Sequence, residues 1–407
     1  HKHYQDQPES ADMSLRTFAC LKLHLDFKPG FLPLSIGNLL LFIVPALAIS
    51  ACTTLSAGSR MQHPESASAI DLPVVKPDEA VSLAQVIEQT QGARVVLVGE
   101  THTRYDHHLV QLEILKYLYQ KSPDLVLGVE WFQQPFQSHL DDYIAGKITE
   151  KEMLHLTEYF TRWKYDYRLY QPILQYAREN KIPLIALNAP RELTKALAET
   201  EFDDLPPELK AQLPENYDWS DKDYEKRLRD IFELHPEYSG KFENFMRSQL
   251  TWDESMAERA AQYLQQNPDT RMLVFAGSGH IMFGSGIPNR IKRRIDTNQF
   301  SILISEDSLP VSKNIADYLV LSVVQSLPPA GLIGAFLQTE GKLLKIEGFS
   351  NNSAIKDAGV KKGAVIIGVD EKPVENFSDF KFAIMSKKPG DTIDLHYLDN
   401  AEAGNRR

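Results

Sequence analysis

Five side chains that can ligate, hydrogen-bond or carry protons stand at the ends of four apolar runs. Glu100 and His102 follow the first run in VVLVGETHTRYDHH, Glu130 closes LVLGVEWF, Asn188 ends IPLIALN and His280 ends VFAGSGH. Two glutamates and two histidines can bind a divalent metal ion through carboxylate and imidazole donors and leave one position for water. Such an ion lowers the pKa of its water and polarises a carbonyl, which is hydrolytic chemistry. Without a metal, Glu100 or Glu130 paired with His102 or His280 can act as a general acid and base. Haem is a third option, since His or Tyr can hold its iron. A single strand-end glutamate is commonly a helix cap or an ion-pair partner. Four strand ends carrying such groups point to one shared site, with its ligand still open.

A sheet has to bring those ends together. ARVVLVG, DLVLGVE, IPLIALN, RMLVFAGSGH and QFSILISE are continuous Val, Leu and Ile runs, which predict strands buried on both faces. HHLVQLEILKYLYQ, apolar at Leu109, Leu112, Leu115 and Leu118, and RLYQPILQYAREN predict intervening helices. The alternation implies an α/β domain over 79–318, a largely parallel sheet with flanking helices. Ligands of such sheets gather beyond the carboxyl ends of the strands, where these five residues fall.

From 204 to 266 the alternation stops. This stretch has no strand pattern and reads as a helical insertion carrying Tyr217, Tyr224, Tyr238 and Trp252. Its tyrosines Tyr217, Tyr224 and Tyr238 are candidate haem ligands by location. Arg191, just after Asn188, has a planar fork suited to a propionate or substrate carboxylate. His107 and His108 read as solvent-facing or capping residues, Asp253 as a residue that orients a histidine or caps a loop, and NRIKRRID as a solvated helix face.

The 407 residues leave room for two or three domains. A net charge of -11 argues against nucleic acid as a partner, because phosphate binding needs a basic surface. The two cysteines, Cys20 and Cys52, precede the globular part and supply it with no disulfide framework. FLPLSIGNLLLFIVPALAISAC follows the basic residues Arg16, Lys22 and Lys28 and closes on small residues before Cys52, as an export leader does. That ending resembles a bacterial lipobox with Cys52 acylated; a retained membrane span is the alternative. The expectation is a signal peptide over 13–52, a flexible Ser/Ala/Thr-rich tether over 53–78, and a lipid anchor holding the protein to the membrane of a bacterial cell envelope, on the outer membrane facing the periplasm.

The tail from 326 to 399 resembles a small β-rich PDZ domain of the bacterial periplasmic kind. LIGA (Leu332, Ile333, Gly334, Ala335) matches the carboxylate-binding loop, SAIKDAGVKKGAVIIGVDEKPV the central block and FSDFKFAI the helix beside the groove. Ala364 departs from the Asp usual in such domains and touches a turn rather than the groove. The resemblance implies binding of a peptide C-terminus at that loop. VLVGETH, LVLGVEWF, IPLIALNAPRE, QLTWDESMA and VFAGSGH resemble the ChaN-type haem-binding lipoproteins of the Tiki/TraB/erythromycin-esterase superfamily, with Gly99 to His102 and Gly277 to His280 as paired Gly-x-x-His marks. In the ChaN branch this implies haem held at a homodimer interface through a tyrosine. Elsewhere in the superfamily it implies metal-dependent proteolysis or ester hydrolysis at the Glu/His edge. The leading expectation is therefore haem or iron-complex binding in uptake or handling. Its rival is a metal-dependent hydrolase using Glu100, His102, Glu130 and His280, with the PDZ domain docking a peptide.

Overall fold

The computed structural model describes residues 16–25, 73–76, 79–234, 240–305, 314–341 and 343–400. Cys52, most of the expected leader and tether, and Tyr238 lie outside these residues. In chain order the strands are β1 (Arg16–His24), β2 (Pro73–Lys76), β3 (Glu79–Ser82), β4 (Val95–Glu100), β5 (Leu125–Gln133), β6 (Leu184–Asn188), β7 (Arg271–Gly277), β8 (Gln299–Ser305), β9 (Tyr318–Leu321), β10 (Ala335–Glu340), β11 (Leu343–Phe349), β12 (Val365–Val369), β13 (Lys372–Pro373) and β14 (Thr392–Asn400).

Eight of them form one sheet in the order β3-β2-β9-β8-β4-β7-β5-β6. Strands β4 to β9 pair in parallel, and β2 alone runs against them, pairing antiparallel with both β9 and β3. β4 and β5 are buried along their whole length, as strands covered on both faces must be. Alternate residues of β4 feed two cores. Val96 and Val98 pack with Ile114, Leu115 and Leu174 on one face, while Val95 and Leu97 pack with Met256, Ala257 and Ala260 on the other. Each fully buried aliphatic side chain contributes roughly 1.5–3 kcal/mol, so these two layers dominate the domain's stability. Ser82 opens the first covering helix, Leu83–Gln89, with a capping box to Gln85 that is worth about 1 kcal/mol.

Several boundaries differ from expectation. The sheet begins at Pro73, inside the expected tether, and runs on to Leu321 through β9. The expected insertion holds helices and no strand among the described residues, yet its last helix, Phe242–Gln266, is only half insertion: from Met256 onward it covers the sheet. The Tyr105–Lys121 helix turns His107, His108, Val110, Gln111, Ile114, Leu115 and Leu118 inward, so Leu109 and Leu112 are only partly buried.

The second sheet has the order β1-β14-β12-β11-β10, with β13 beside β12. β10 to β14, with the helix Phe377–Ile384, make the PDZ domain. Gly334 needs its residue type: its φ is +75°, and a Cβ would lie 2.6 Å from the Ser353 Cα. β1 falls in the segment read as the start of a leader, and it pairs antiparallel with β14 along all nine residues. The cause is period-two patterning in the leader's own sequence. Leu23 and Leu25 are buried in the PDZ core and Leu21 packs beside them. The Leu25 N–H donates to the Asp391 carbonyl at 2.9 Å, and its carbonyl accepts from the Gly390 N–H at 2.7 Å. Among the described residues no helix is long and apolar enough to cross a membrane.

Candidate functional site

The parallel register puts Glu100 of β4 opposite Gly277 of β7. The β5–β6 ladder slips between Val129 and Gln133, and Glu130 lies in that interruption. Four strand ends thus share one edge, and their side chains meet there. The His102 Nδ1–H donates to Glu100 Oε1 at 2.6 Å. The His280 Nδ1–H donates to Asp253 Oδ1 at 2.6 Å. Both rings present Nε2 to the same oxygen, Glu130 Oε1, at 3.9 Å from His102 and 3.4 Å from His280. Glu130 Oε2 accepts the Gly277 N–H at 2.7 Å, and the Glu130 carbonyl accepts the Asn188 amide at 2.9 Å. Gly277 has to be small for this to form, because a Cβ there would come within 3.0 Å of the His102 ring.

Two carboxylate-held imidazoles therefore flank a third carboxylate, all of them buried or nearly so. Burial pushes the Glu130 carboxyl up, but His280, His102 and the Gly277 N–H outweigh it and bring it down to about 2. Burial disfavours the charged imidazoles too, yet Glu100 and Glu130 raise His102, and Glu130 and Asp253 raise His280 well above its ordinary value. The surrounding carboxylates thus favour the charged form of both rings. Glu100 Oε2 and Asn188 Oδ1 are buried acceptors without a hydrogen bond among the described residues. They are the polar capacity the cluster has left for a ligand.

Asp253 orients His280 and also accepts the Tyr224 hydroxyl at 2.7 Å. Tyr224 is buried, with Arg290 4.7 Å from its ring centroid, and its hydroxyl is committed to Asp253. Arg290 corrects the reading of NRIKRRID as a solvated face: it is buried and paired with the buried Glu254 at 3.1 Å, and Arg293 and Arg294 join the same carboxylate. His107 and His108 are corrected as well. Both are buried: His107 Nδ1 accepts the Thr101 N–H at 3.0 Å, and His108 sits between Gln111 and the His102 carbonyl. Arg191 is exposed and donates to the Thr161 carbonyl, away from the cluster. Two members were not foreseen. Trp163 and Tyr165 pack their rings 4.8 and 4.9 Å from His102. The crowding of aromatics in RWKYDY between helix patterns was the available signal.

Tyr217 lies apart, on the insertion. Its ring stacks on Trp219 at 5.9 Å and 18° and meets Phe202 at 5.1 Å. Its hydroxyl is 3.0 Å from the Thr251 hydroxyl, and Trp219 is 42% exposed. This is an aromatic shelf with a phenol at its inner edge. For the expected divalent ion there is no comparable support. Among the described residues, no group of three or more His, Cys, Asp or Glu is arranged to hold a metal ion.

Fold and site define a class: a parallel α/β domain that gathers carboxylates and imidazoles at its strand ends, followed by a PDZ domain. Residues 86–291 match the family described as haem-binding uptake, Tiki superfamily, ChaN, and residues 326–398 match the PDZ family. The first match spans just over half of the chain, which belongs to this ChaN haem-binding family. A solved structure of ChaN from Campylobacter jejuni, described as showing cofacial haem binding, aligns with a TM-score of 0.51 and 19% identity over 62% of this chain and 97% of that one. An erythromycin esterase in its open conformation aligns with a TM-score of 0.34 and 12% identity, over 77% of this chain and 89% of that one. Protein RETICULATA-RELATED 5, chloroplastic, of Arabidopsis thaliana is 24% identical over 266 residues, which is 59% of this chain. The match spans only 36% of that curated relative's length.

Proposed function

We propose that this member of the family holds haem on the Phe202–Tyr217–Trp219 shelf, with Tyr217 as the iron ligand, in haem or iron handling at the cell envelope. The observation that carries this is the stacked Tyr217–Trp219 pair, in which the half-buried Tyr217 phenol lies beside the exposed Trp219 ring. Haem would supply a flat apolar macrocycle and an iron that accepts a phenolate. Thr251 fixes the Tyr217 hydroxyl, and burial raises its pKa, so the phenol keeps its proton until a cation displaces it. Tyr224 fits this role poorly, because its hydroxyl is committed to Asp253 and its ring is covered. Absorbance titration of haem into the intact chain tests the proposal. Tyr217→Phe should weaken binding at least tenfold, and Glu130→Gln by less than threefold. The reverse pattern would move haem to the strand ends.

By analogy with the cofacial haems of the Campylobacter protein, a homodimer apposing two shelves is the expected assembly, and sedimentation with and without haem reads it. Envelope placement through acylated Cys52 is the matching proposal for location, checked by the mass of the mature N-terminus. Cleavage before Cys52 would also remove β1.

A second reading is supported by the two carboxylate–imidazole pairs: acid–base hydrolysis at the strand ends, with Glu100 and Asp253 orienting His102 and His280. Here the imidazolium ions serve as acids, and Glu130, at about 2, is a weak base. Turnover of a nitrophenyl ester would have to vanish in His280→Ala for this reading to stand.

A further inference from the structure

The PDZ domain meets the α/β domain beside the loop and helix that resemble the peptide groove of its family. Between its loop and the Phe377–Ile384 helix lies a pocket lined by Leu332, Lys381 and Ile384, and Phe160, Asp166 and Arg168 of the α/β domain close over it. A cavity of about 30 Å³ is left. That is room for a water molecule or two, not for a side chain. The fastenings are few. Lys151 pairs with Asp379 at 3.1 Å, Phe160 meets Phe377 edge-on at 6.2 Å, and Arg168 donates to the Pro328 carbonyl at 2.7 Å. Phe382 and Met385 also rest on the α/β core. Leu332, on the open side of that pocket, and Phe336 stay 50% and 52% exposed.

The closing segment has a second duty. Tyr159 to Tyr170 carries Phe160, Asp166 and Arg168 toward the PDZ domain and Trp163 and Tyr165 onto His102. Two left-handed residues that are not glycine, Glu158 at φ 51° and Lys164 at φ 69°, shape it. Such backbone is uncommon for residues with a side chain and persists where packing on both sides holds it. One wall thus serves two sites.

We propose that the α/β domain masks the terminal-residue pocket of its own PDZ domain, so that an extended peptide with a free C-terminal carboxylate binds only after the Tyr159–Tyr170 segment draws back. Peptide entry then loosens the rings over His102, and a ligand that tightens those rings keeps the pocket shut. An interface whose polar fastenings are one partly exposed ion pair and one carbonyl bond, with Phe377, Phe382 and Met385 as its apolar contacts, is small enough for such release.

The test uses the full chain and the variant Lys151→Glu/Phe160→Ala. The probe is a fluorescein-tagged heptapeptide pool, randomised at its last four positions, with a free or an amidated C-terminus. The variant should retain at least fivefold more of the free-acid pool than wild type, and neither protein should retain the amidated pool. Hydrogen exchange should rise at least fivefold across Gly331–Ala335 and Lys381–Met385, with β12 and β14 unchanged. The charge swap Lys151→Glu/Asp379→Lys, with Phe160 intact, should keep wild-type protection. Equal retention by the two proteins, retention by neither, or unchanged exchange at the pocket would overturn the proposal. If β12 and β14 lose protection as well, the contact is structural support for the PDZ domain rather than a mask, and the proposal fails.

Discussion

The strand-end cluster and the aromatic shelf hang on the same helix two residues apart. Thr251 of Phe242–Gln266 holds the Tyr217 hydroxyl, and Asp253 holds His280 and Tyr224. In the cluster, charge is dense, buried and mutually neutralised. The shelf is built mainly of rings, with Arg247 5.6 Å from the Phe202 centroid and Trp219 partly open. A buried ionic cluster resists entry of a large apolar ligand, since displacing one group leaves its partner a buried, unpaired charge. An apolar plate costs nothing comparable to cover. The proposal of haem on the shelf rests on that difference, and one helix fixes the spacing of the two regions.

The sharpest way to break that division is at Asp253. Asp253→Ala leaves His280 and the Tyr224 hydroxyl without their buried partner and should cost roughly 3–5 kcal/mol in urea unfolding. Asp253→Asn should recover part of it. Haem affinity of the folded Asp253→Asn protein should stay within threefold of wild type if the regions are independent, and a larger loss would make them one site. A smaller effect is expected at Gly277. The added methyl of Gly277→Ala meets the His102 ring, and the strain should cost about 1–3 kcal/mol. It should also shift the His102 ring resonances while the Trp219 indole signal stays in place.

The smallest effect is in pH. Burial, opposed by Asp106, lowers His107 from 6.5 to about 4, so it is neutral in the fold. A depressed pKa contributes stability that is full above 6.5 and is lost as pH falls toward 4. His107→Gln should flatten that part of the stability profile. The later acid decline from Glu130, between 4.5 and about 2, should remain. Urea midpoints across pH 7 to 3 measure both.

The parallel sheet was legible because its strands are uninterrupted aliphatic runs, and the cluster because strand ends in such a sheet share an edge. Asp253 was legible as an orienting residue. What escaped depends on partners distant in sequence. His107 and His108 are buried because the sheet sets the phase of their helix, which a count of leucines does not reveal. Arg290 is buried because Glu254 meets it. Trp163 and Tyr165 come from an irregular segment whose course depends on packing at both of its faces. The alternative of a divalent metal ion drew on carboxylates and imidazoles at those strand ends, and the structure pairs those groups with each other or with their neighbours.

β1 carries a consequence in time rather than in space. Chains are made from the N-terminus, so Arg16 emerges long before Asn400, its partner in the ladder. Until β14 exists, the strand built first has nothing to pair with. Closing so long a loop adds little at equilibrium, about 0.6 kcal/mol for each doubling of length, but contacts this far apart form slowly. Meanwhile the open edge of β14 is a template for any strand within reach, including β1 of a neighbouring copy. Refolding in dilute solution should return monomers. Refolding at high concentration should yield dimers that have exchanged β1, and a shortened chain beginning after residue 25 should lose that concentration dependence.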